Sequence, residues 1–206
     1  MLSVASLECV RGERRLFGNV AFELAPGTLL RVHGRNGSGK TSLLRILAGL
    51  LEPASGEIRW RGQRIDTLGE TYRRDLTYLG HQNAIKDDLS AFENLLVSER
   101  IAGVGITTAR ARAALGQVGL KGFEDLPTRL LSQGQKRRAA LARLASRTSC
   151  GLWILDEPFV ALDPVAVGAL QTIIGDRLST HGIVVMTTHQ DVPIASPKHQ
   201  DLGLGE

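Results

Sequence analysis

Short apolar runs alternate along the chain with stretches whose leucines and alanines recur at helical spacing. The runs at residues 29–33, 152–155 and 182–189 are rich in Leu, Ile and Val, which is typical of buried strands in a parallel sheet. Residues 40–51 carry leucines at helical spacing, and most of the chain from residue 92 to about residue 146 reads as helical. Strands that alternate with helices predict an α/β fold.

Two segments outside these runs predict other structures. Residues 56–65, GEIRWRGQRI, read as a β-hairpin with Gly62 at its turn, placed beside the N-terminal strands. Residues 191–206 contain prolines and glycines near the end of the chain, and this composition predicts a loose tail.

Composition limits the class of protein. The chain has 206 residues, of which 43% are hydrophobic and 22% charged, and this fits one globular domain. The net charge of +4 suits an anionic partner without selecting one. Cys9 and Cys150 lie far apart and predict buried thiols rather than a disulfide or a metal site. No apolar run approaches the ~18–20 residues of a membrane span, so a membrane role would depend on another chain.

The segment between the first apolar run and the helix after it carries the strongest chemical signal. Residues 34–41 read GRNGSGKT and match the phosphate-loop pattern G-x-x-x-x-G-K-[ST]. Glycines let backbone N–H groups curl around a phosphate chain, Lys40 would reach the β- and γ-phosphates, and the Thr41 hydroxyl would bind Mg²⁺. The expected nucleotide-binding residues are Gly34, Arg35, Asn36, Gly37, Ser38, Gly39, Lys40 and Thr41.

Polar residues follow the other two apolar runs. Asp156 and Glu157 end the run LWIL, and Pro158 stops the element. Beside a phosphate loop, Asp156 is placed to hold Mg²⁺, and Glu157 is placed to orient and deprotonate an attacking water. His189 closes the third run at the same edge of a parallel sheet, where we expect it to contact the γ-phosphate.

The stretch LLSQGQKRR, residues 130–138, predicts the start of a helix. Ser132 and Gln135 fit the S-x-x-Q capping box, and Gly134 makes the helix tip a ready anion site. Most such signals merely start a helix, and the stretch alone identifies no anion.

Together these motifs resemble the nucleotide-binding domain of ATP-binding cassette (ABC) proteins. They follow the family's order: the phosphate loop, Gln82, LSQGQ (131–135), LWILDEP (152–158), ALD (161–163) and His189. The resemblance covers nearly the whole chain and implies a P-loop NTPase fold of the α/β class. Its parts would be a RecA-like parallel core, an N-terminal antiparallel β subdomain and an inserted helical subdomain at about residues 88–148, all within one domain over residues 1–206.

The resemblance also implies roles for these residues, with ATP and Mg²⁺ as cofactors. The implied metal ligands are Thr41, Gln82 and Asp156. The implied catalytic residues are Glu157, His189 and Gln82. LSQGQ is similar to the family's LSGGQ signature, which closes over the ATP held by a second copy. Ser132, Gly134 and Gln135 therefore imply a homodimer that sandwiches the nucleotide.

Two regions depart from the family's pattern. Gln133 replaces the commoner glycine of the signature. The family often stacks adenine on an aromatic residue near the N-terminus, where this chain has Arg11 and Arg15. Phe17, further along, is either a base-stacking or a core residue.

Within the family, three strings resemble the ATP-binding subunits of bacterial cytochrome c maturation, or haem export, systems: residues 78–95, 152–163 and 187–190. That likeness implies an ATPase on the cytoplasmic face of the inner membrane. Its partners would be integral membrane Ccm subunits, and it would act on haem only indirectly. The chain has no CxxCH haem-attachment site, and its other histidines read as structural or exposed rather than as haem ligands: His33, His81, His181 and His199.

Other kinds of ABC protein are alternatives. One is a soluble ATPase of the iron–sulfur assembly type, and another is the ATPase subunit of a different small bacterial transporter. An ABC ATPase of the chromosome or repair type, with DNA as partner, is disfavoured because no heptad repeat separates the phosphate loop from the signature. The basic residues 136–138 accordingly read as a solvated face, and no nucleic-acid partner is expected.

Overall fold

A computed structural model describes residues 1–148 and 150–205 of the chain. Its strands are β1 (Leu2–Arg11), β2 (Arg14–Leu24), β3 (Thr28–Gly34), β4 (Ser55–Trp60), β5 (Gln63–Arg64), β6 (Leu76–Leu79), β7 (Leu152–Asp156), β8 (Ile183–Thr187) and β9 (Lys198–Leu204). Its helices are α1 (Lys40–Leu47), α2 (Ile65–Leu68), α3 (Glu70–Arg74), α4 (Ala91–Ile101), α5 (Thr108–Gln117), α6 (Gln133–Ser146) and α7 (Pro164–Ser179).

The five-stranded sheet has the order β6-β7-β8-β3-β9, and every neighbouring pair in it is parallel. Three of these strands, β3, β7 and β8, are the apolar runs that the sequence predicts. Because the strands are parallel, all of their carboxyl ends lie at one edge, which is where open α/β sheets bind ligands.

The second sheet is antiparallel, with the order β2-β1-β4-β5. The hairpin predicted at residues 56–65 is formed by β4 and β5, and its turn at Arg61 and Gly62 has positive φ at both positions. That geometry is the type I′ arrangement that two-residue hairpins prefer. The parallel core and the N-terminal antiparallel β sheet agree with the predicted fold class.

Two hydrophobic cores lie on opposite faces of the parallel sheet, because side chains alternate along a strand. Leu29 and Val184 face the core shared with α4 to α7. Leu30 and Val185 face the core shared with α1 and the antiparallel sheet. The phosphate-loop helix is therefore packed between the two sheets.

The helices predicted between residues 92 and 146 are α4, α5 and α6, and they lie between β6 and β7 in the chain. Two of these helices begin with a complete capping box. Ser90 forms it with Glu93 at the start of α4, and Ser132 forms it with Gln135 at the start of α6. The predicted start of a helix at Ser132 is therefore confirmed.

Two predictions about boundaries are wrong. The tail is not loose throughout, because Lys198–Leu204 form β9, which pairs with the whole of β3. Most of its side chains are exposed, so the strand lacks the apolar pattern that would reveal it, and backbone pairing at a sheet edge stabilises it instead. Helix α1 ends at Leu47 rather than at residue 51, because Gly49 takes a left-handed φ of 67° that stops it.

Cys9 and Cys150 are buried and free, as predicted. Among the helices that the structure describes, none combines the length and the hydropathy needed to cross a bilayer.

Candidate nucleotide-binding and hydrolysis site

The phosphate loop connects the carboxyl end of β3 to the first turn of α1. Gly34 has φ 146°, and a Cβ there would lie 2.5 Å from the backbone oxygen of Leu204 on β9. Gly39 has φ 100° and directly precedes the helix. The loop therefore needs glycine at both ends, and it presents the N-terminus of α1, with its positive end, towards the sheet edge.

Lys40 and Thr41 occupy the first turn of α1. The ammonium group of Lys40 donates hydrogen bonds to the carbonyl oxygens of Gly34 and Arg35, at 2.6 and 3.2 Å, so it lies over the loop. The hydroxyl of Thr41 donates to Oδ2 of Asp156 at 2.9 Å. The loop and the end of β7, which are 115 residues apart in sequence, therefore meet at one point.

Glu157 lies directly after β7 with a left-handed backbone, φ 48°. Its Oε2 accepts a hydrogen bond from the backbone N–H of His189 at 3.2 Å, and its Oε1 lies 3.4 Å from the His189 ring nitrogen Nε2. The side chain of Glu157 is 13% exposed, whereas that of His189 is 59% exposed. The structure thus places the two residues side by side at the carboxyl edge of the sheet.

The signature residues are not brought to the phosphate loop of their own chain. Ser132 is exposed at the tip of α6, where it caps the backbone N–H of Gln135 at 3.2 Å. A Cβ on Gly134 would lie 3.1 Å from the carbonyl oxygen of Ala161 in the ALD segment. In the described chain no hydrogen bond joins residues 132–135 to residues 34–41.

Gln82 follows β6 and is also separate from the carboxylates. Its side chain is exposed, and it makes no hydrogen bond within the described residues. It lines a groove of about 910 Å³ between the parallel sheet and α4, together with the exposed apolar residues Leu50 and Ile101.

Comparisons with known proteins agree with this geometry. The family model for ABC transporters matches residues 17–160. The cytochrome c biogenesis ATP-binding export protein CcmA of Dechloromonas aromatica is 56% identical over 205 residues, which cover 100% of both chains. CcmA of Nitrosomonas europaea is 54% identical over 95% of this chain and 92% of its own. The chain belongs to the CcmA branch of the ABC transporter family.

Solved ABC structures share its fold. A dimeric bacterial ABC transporter cassette superposes with a TM-score of 0.86, covering 100% of this chain and 97% of the cassette, at 22% identity. An ATP-binding subunit of an ABC transporter gives a TM-score of 0.80 at 25% identity and covers 92% of this chain and 79% of that subunit. As a member of the ABC family, the chain is an ATP-binding ATPase that converts ATP and water to ADP and phosphate.

Arg137, on the signature helix of this family member, is a residue whose role the sequence does not reveal. Residues 136–138 were expected to form a solvated face, and that expectation is wrong. Arg137 is 4% exposed, Lys136 pairs with Asp87, and Arg138 pairs with Asp163. Burial lowers the pKa of the Arg137 guanidinium, while the nearby Asp156 and Glu157 raise it. The guanidinium donates to five acceptors: the carbonyl oxygens of Gly80, His81, Asp156 and Glu157, and Oδ1 of Asn83.

Thr187 is the second residue that the motifs of the ABC family do not predict. It ends β8 in register with Asp156, and its side chain is completely buried. A polar residue at the end of an otherwise apolar run, MTTH, is the sequence signal that could have indicated it.

Phe17 is a core residue of this cassette. It is 7% exposed within the core that surrounds α1, and its ring lies against the position that a Cβ of Gly39 would take. The ring therefore packs against the phosphate loop and does not face solvent, where a base could stack on it.

Proposed function

We propose that the chain is the ATP-hydrolysing subunit of a bacterial export complex for cytochrome c maturation, at the cytoplasmic face of the inner membrane. The observation that carries the proposal is the hydrogen bond between the Thr41 hydroxyl and the Asp156 carboxylate, with Glu157 as the next residue. The names of the relatives, cytochrome c biogenesis ATP-binding export proteins, support the biological process.

Mg²⁺ fits this edge of the sheet, because Thr41 and Asp156 offer the hard oxygen ligands that the ion takes together with phosphate oxygens. These two residues would hold it, with Gln82 as a further oxygen ligand from the groove. When bound, the ion neutralises charge on the β- and γ-phosphates.

The chain's own residues account for the remaining steps. The phosphate-loop N–H groups and Lys40 bind the phosphates. Glu157 accepts the proton of the attacking water, because its carboxylate lies directly beyond the Asp156 that marks the metal position. The backbone N–H of His189 holds the Glu157 carboxylate, and the solvent-exposed imidazole of His189, beside that carboxylate, would contact the γ-phosphate.

A second copy of the chain completes each site. Ser132 and Gln133 are exposed at the tip of α6. Two apolar side chains close to them or to the ALD segment in sequence are also exposed: Leu130 at 66% and Val165 at 81%. In a head-to-tail homodimer, Ser132, Gly134 and Gln135 close over the nucleotide held by the partner copy.

The groove beside Gln82, which α4 of the helical insertion (residues 88–148) lines, is the surface that we assign to the membrane subunits. Ile101, at the end of α4, is 82% exposed beside this groove. A subunit that binds there would contact the segment of Gln82, which is tied through Arg137 to the carbonyl oxygens of Asp156 and Glu157. Partner binding and hydrolysis would therefore be coupled.

The experiment is affinity purification of the tagged chain from detergent-solubilised membranes, with partners identified by mass spectrometry and haem by absorbance. We expect the integral membrane Ccm subunits to co-purify. The control co-expresses the membrane subunits. If all of the protein were then recovered in the cytosolic fraction without a membrane partner, the result would contradict the proposal and favour an ATPase of the iron–sulfur assembly type.

Ile101→Glu tests the assigned surface, because a charge at this position opposes burial against a partner. We expect it to reduce co-purification strongly while ATP binding by the isolated chain is unchanged. Phe123→Glu is the matched control, since Phe123 is also an exposed apolar residue but lies outside the groove. Equal loss of partners from both variants would contradict the assignment.

A further inference from the structure

The hydroxyl of Thr187 joins the two acidic residues of the site. Thr187 and Asp156 are paired across the parallel strands β8 and β7, so their side chains point to the same face. Oγ1 of Thr187 donates a hydrogen bond to Oδ1 of Asp156 at 2.7 Å and accepts one from the backbone N–H of Glu157 at 3.0 Å. One buried hydroxyl therefore uses both its donor and its acceptor capacity on neighbouring site residues.

The first of these bonds orients the Asp156 carboxylate. Oδ2 accepts the hydrogen bond of Thr41, and Oδ1 accepts that of Thr187. Asp156 is 3% exposed, so solvent contributes little to its orientation. With Oδ1 held by Thr187, Oδ2 stays directed towards the phosphate loop, where a metal ion would bind.

The second bond supports a strained backbone. Glu157 has φ 48°, a left-handed conformation that residues other than glycine rarely adopt. Such a conformation persists only where the surroundings impose it. The hydrogen bond from its N–H to Thr187 imposes it from one side of the residue, and the bond from Arg137 to its carbonyl oxygen imposes it from the other.

We propose that Thr187 is a positioning residue for ATP hydrolysis, whose hydroxyl sets the orientation of Asp156 and the backbone of Glu157 together. This inference rests on the proposed roles of those two residues. Valine has nearly the same shape as threonine but can make neither bond, so Thr187→Val removes the hydroxyl while it keeps the volume of the side chain.

The experiment compares Thr187→Val with Thr187→Ser in the full chain. For Thr187→Val we expect kcat for ATP to fall about tenfold or more, as for the loss of a hydrogen bond to a charged group, while KM changes by less than about threefold. Thr187→Ser should restore kcat to within about threefold of the parent, because serine keeps the hydroxyl.

Thr28→Val is the matched control. Thr28 is also completely buried in the parallel sheet, at the amino end of β3, and its hydroxyl has no hydrogen-bond partner among the described residues. The same chemical change therefore occurs in the same sheet but remote from the site. We expect kcat and KM of Thr28→Val to match those of the parent.

Two further readouts do not depend on turnover. Mg²⁺ should tighten nucleotide binding less in Thr187→Val than in the parent, whereas the affinity for metal-free ATP should be unchanged, because the phosphate loop is untouched. In the unmodified chain, the amide of Glu157 should exchange slowly with solvent, as expected for a donor bonded to a buried oxygen.

The outcomes separate this inference from the proposed function. If the parent hydrolyses ATP and Thr187→Val has a kcat within twofold of it, only the role of Thr187 is wrong. Loss of kcat in Thr187→Val and Thr187→Ser alike, or rapid exchange of the Glu157 amide, would also overturn it. If the parent does not hydrolyse ATP, the proposed function fails; if Glu157→Gln turns over ATP at the parent rate, the role of Glu157 as the base fails. Should Thr187→Val not fold, the exchange measurement and Thr187→Ser decide the question.

Discussion

Arg137 on α6 donates a hydrogen bond to the backbone carbonyl oxygen of Glu157 over 2.7 Å. The helix that begins with the signature serine is thereby attached to the residue that we assign as the base. The same guanidinium also bonds the carbonyl oxygens next to Gln82. The buried guanidinium of Arg137 therefore links α6 to the segment before Gln82 and to the segment after β7.

We expect Arg137→Lys to lower ATP turnover by about tenfold or more while ATP affinity changes little. A single ammonium group has three donors and cannot reproduce the planar fork of arginine, so several carbonyl oxygens would lose a partner. Steady-state kinetics and nucleotide titration check this result. Arg129→Lys, at an exposed ion pair with Asp88, is the control, and a similar defect in that variant would contradict the assignment.

The glycines of the phosphate loop differ in how much they tolerate a side chain. In Gly34→Ala the new Cβ would lie 2.5 Å from Leu204 O and 2.6 Å from Ser38 Oγ, in addition to an unfavourable φ. In Gly37→Ala nothing lies within 4 Å of the Cβ, so only the cost of φ 80° remains, about 1 kcal/mol. We expect thermal melting without nucleotide to show a clearly larger loss for Gly34→Ala. Equal losses would mean that β9 does not press on the loop.

Mixing two inactive variants tests whether the signature acts on the partner copy. Lys40→Ala should lose nucleotide binding, and Ser132→Arg should bind ATP without hydrolysing it. A heterodimer of the two contains one intact site, built from the phosphate loop of one chain and the signature of the other. Random pairing should therefore restore about a quarter of the parent activity. If both residues acted within one chain, the mixture would stay inactive.

Glu157→Gln should keep ATP binding but stall hydrolysis, because the amide cannot accept the proton of the water. The stalled chain should accumulate as a dimer in the presence of Mg²⁺ and ATP, which size-exclusion chromatography with light scattering would detect. Turnover at the parent rate would exclude Glu157 as the base.

Both thiols should react slowly in the folded chain. Burial raises the pKa of Cys9 and of Cys150, so that less thiolate is present near neutral pH than in an unfolded chain. A raised pKa stabilises the folded state below the ordinary thiol pKa, and this contribution is lost as pH rises through the folded-state value. Alkylation followed by mass spectrometry should show little labelling at pH 7 and rapid labelling of both cysteines in denaturant. Fast labelling of the native chain would contradict their burial.

Much of the fold could be predicted because its signals are local. The apolar runs of β3, β7 and β8 and the capping box at Ser132 depend on neighbouring residues, and all of them are present in the structure. The predicted positions of Thr41 and Asp156 follow from the same logic, since the ends of parallel strands share an edge. Strand β9 has no such signal, because its stability comes from the backbone of β3.

The residues that hold the site together could not be predicted, because their roles depend on contacts distant in sequence. Arg137 looks like a surface cation, yet its partners lie up to 57 residues away. Thr187 looks like the end of a strand, yet its hydroxyl faces a carboxylate 31 residues earlier in the chain. The binding roles of Gln82 and of the signature stay predictions, because they involve a nucleotide and a second copy.

The position of β3 between β8 and β9 has a consequence for biosynthesis. Its two neighbours, β8 and β9, are both made long after it, so the phosphate loop is translated early but supported late. Contacts of such large sequence separation slow folding, and until they form β3 presents open edges to other chains. A polypeptide whose synthesis stops before Lys198 would therefore lack β9, leave one edge of β3 unpaired and be prone to aggregate.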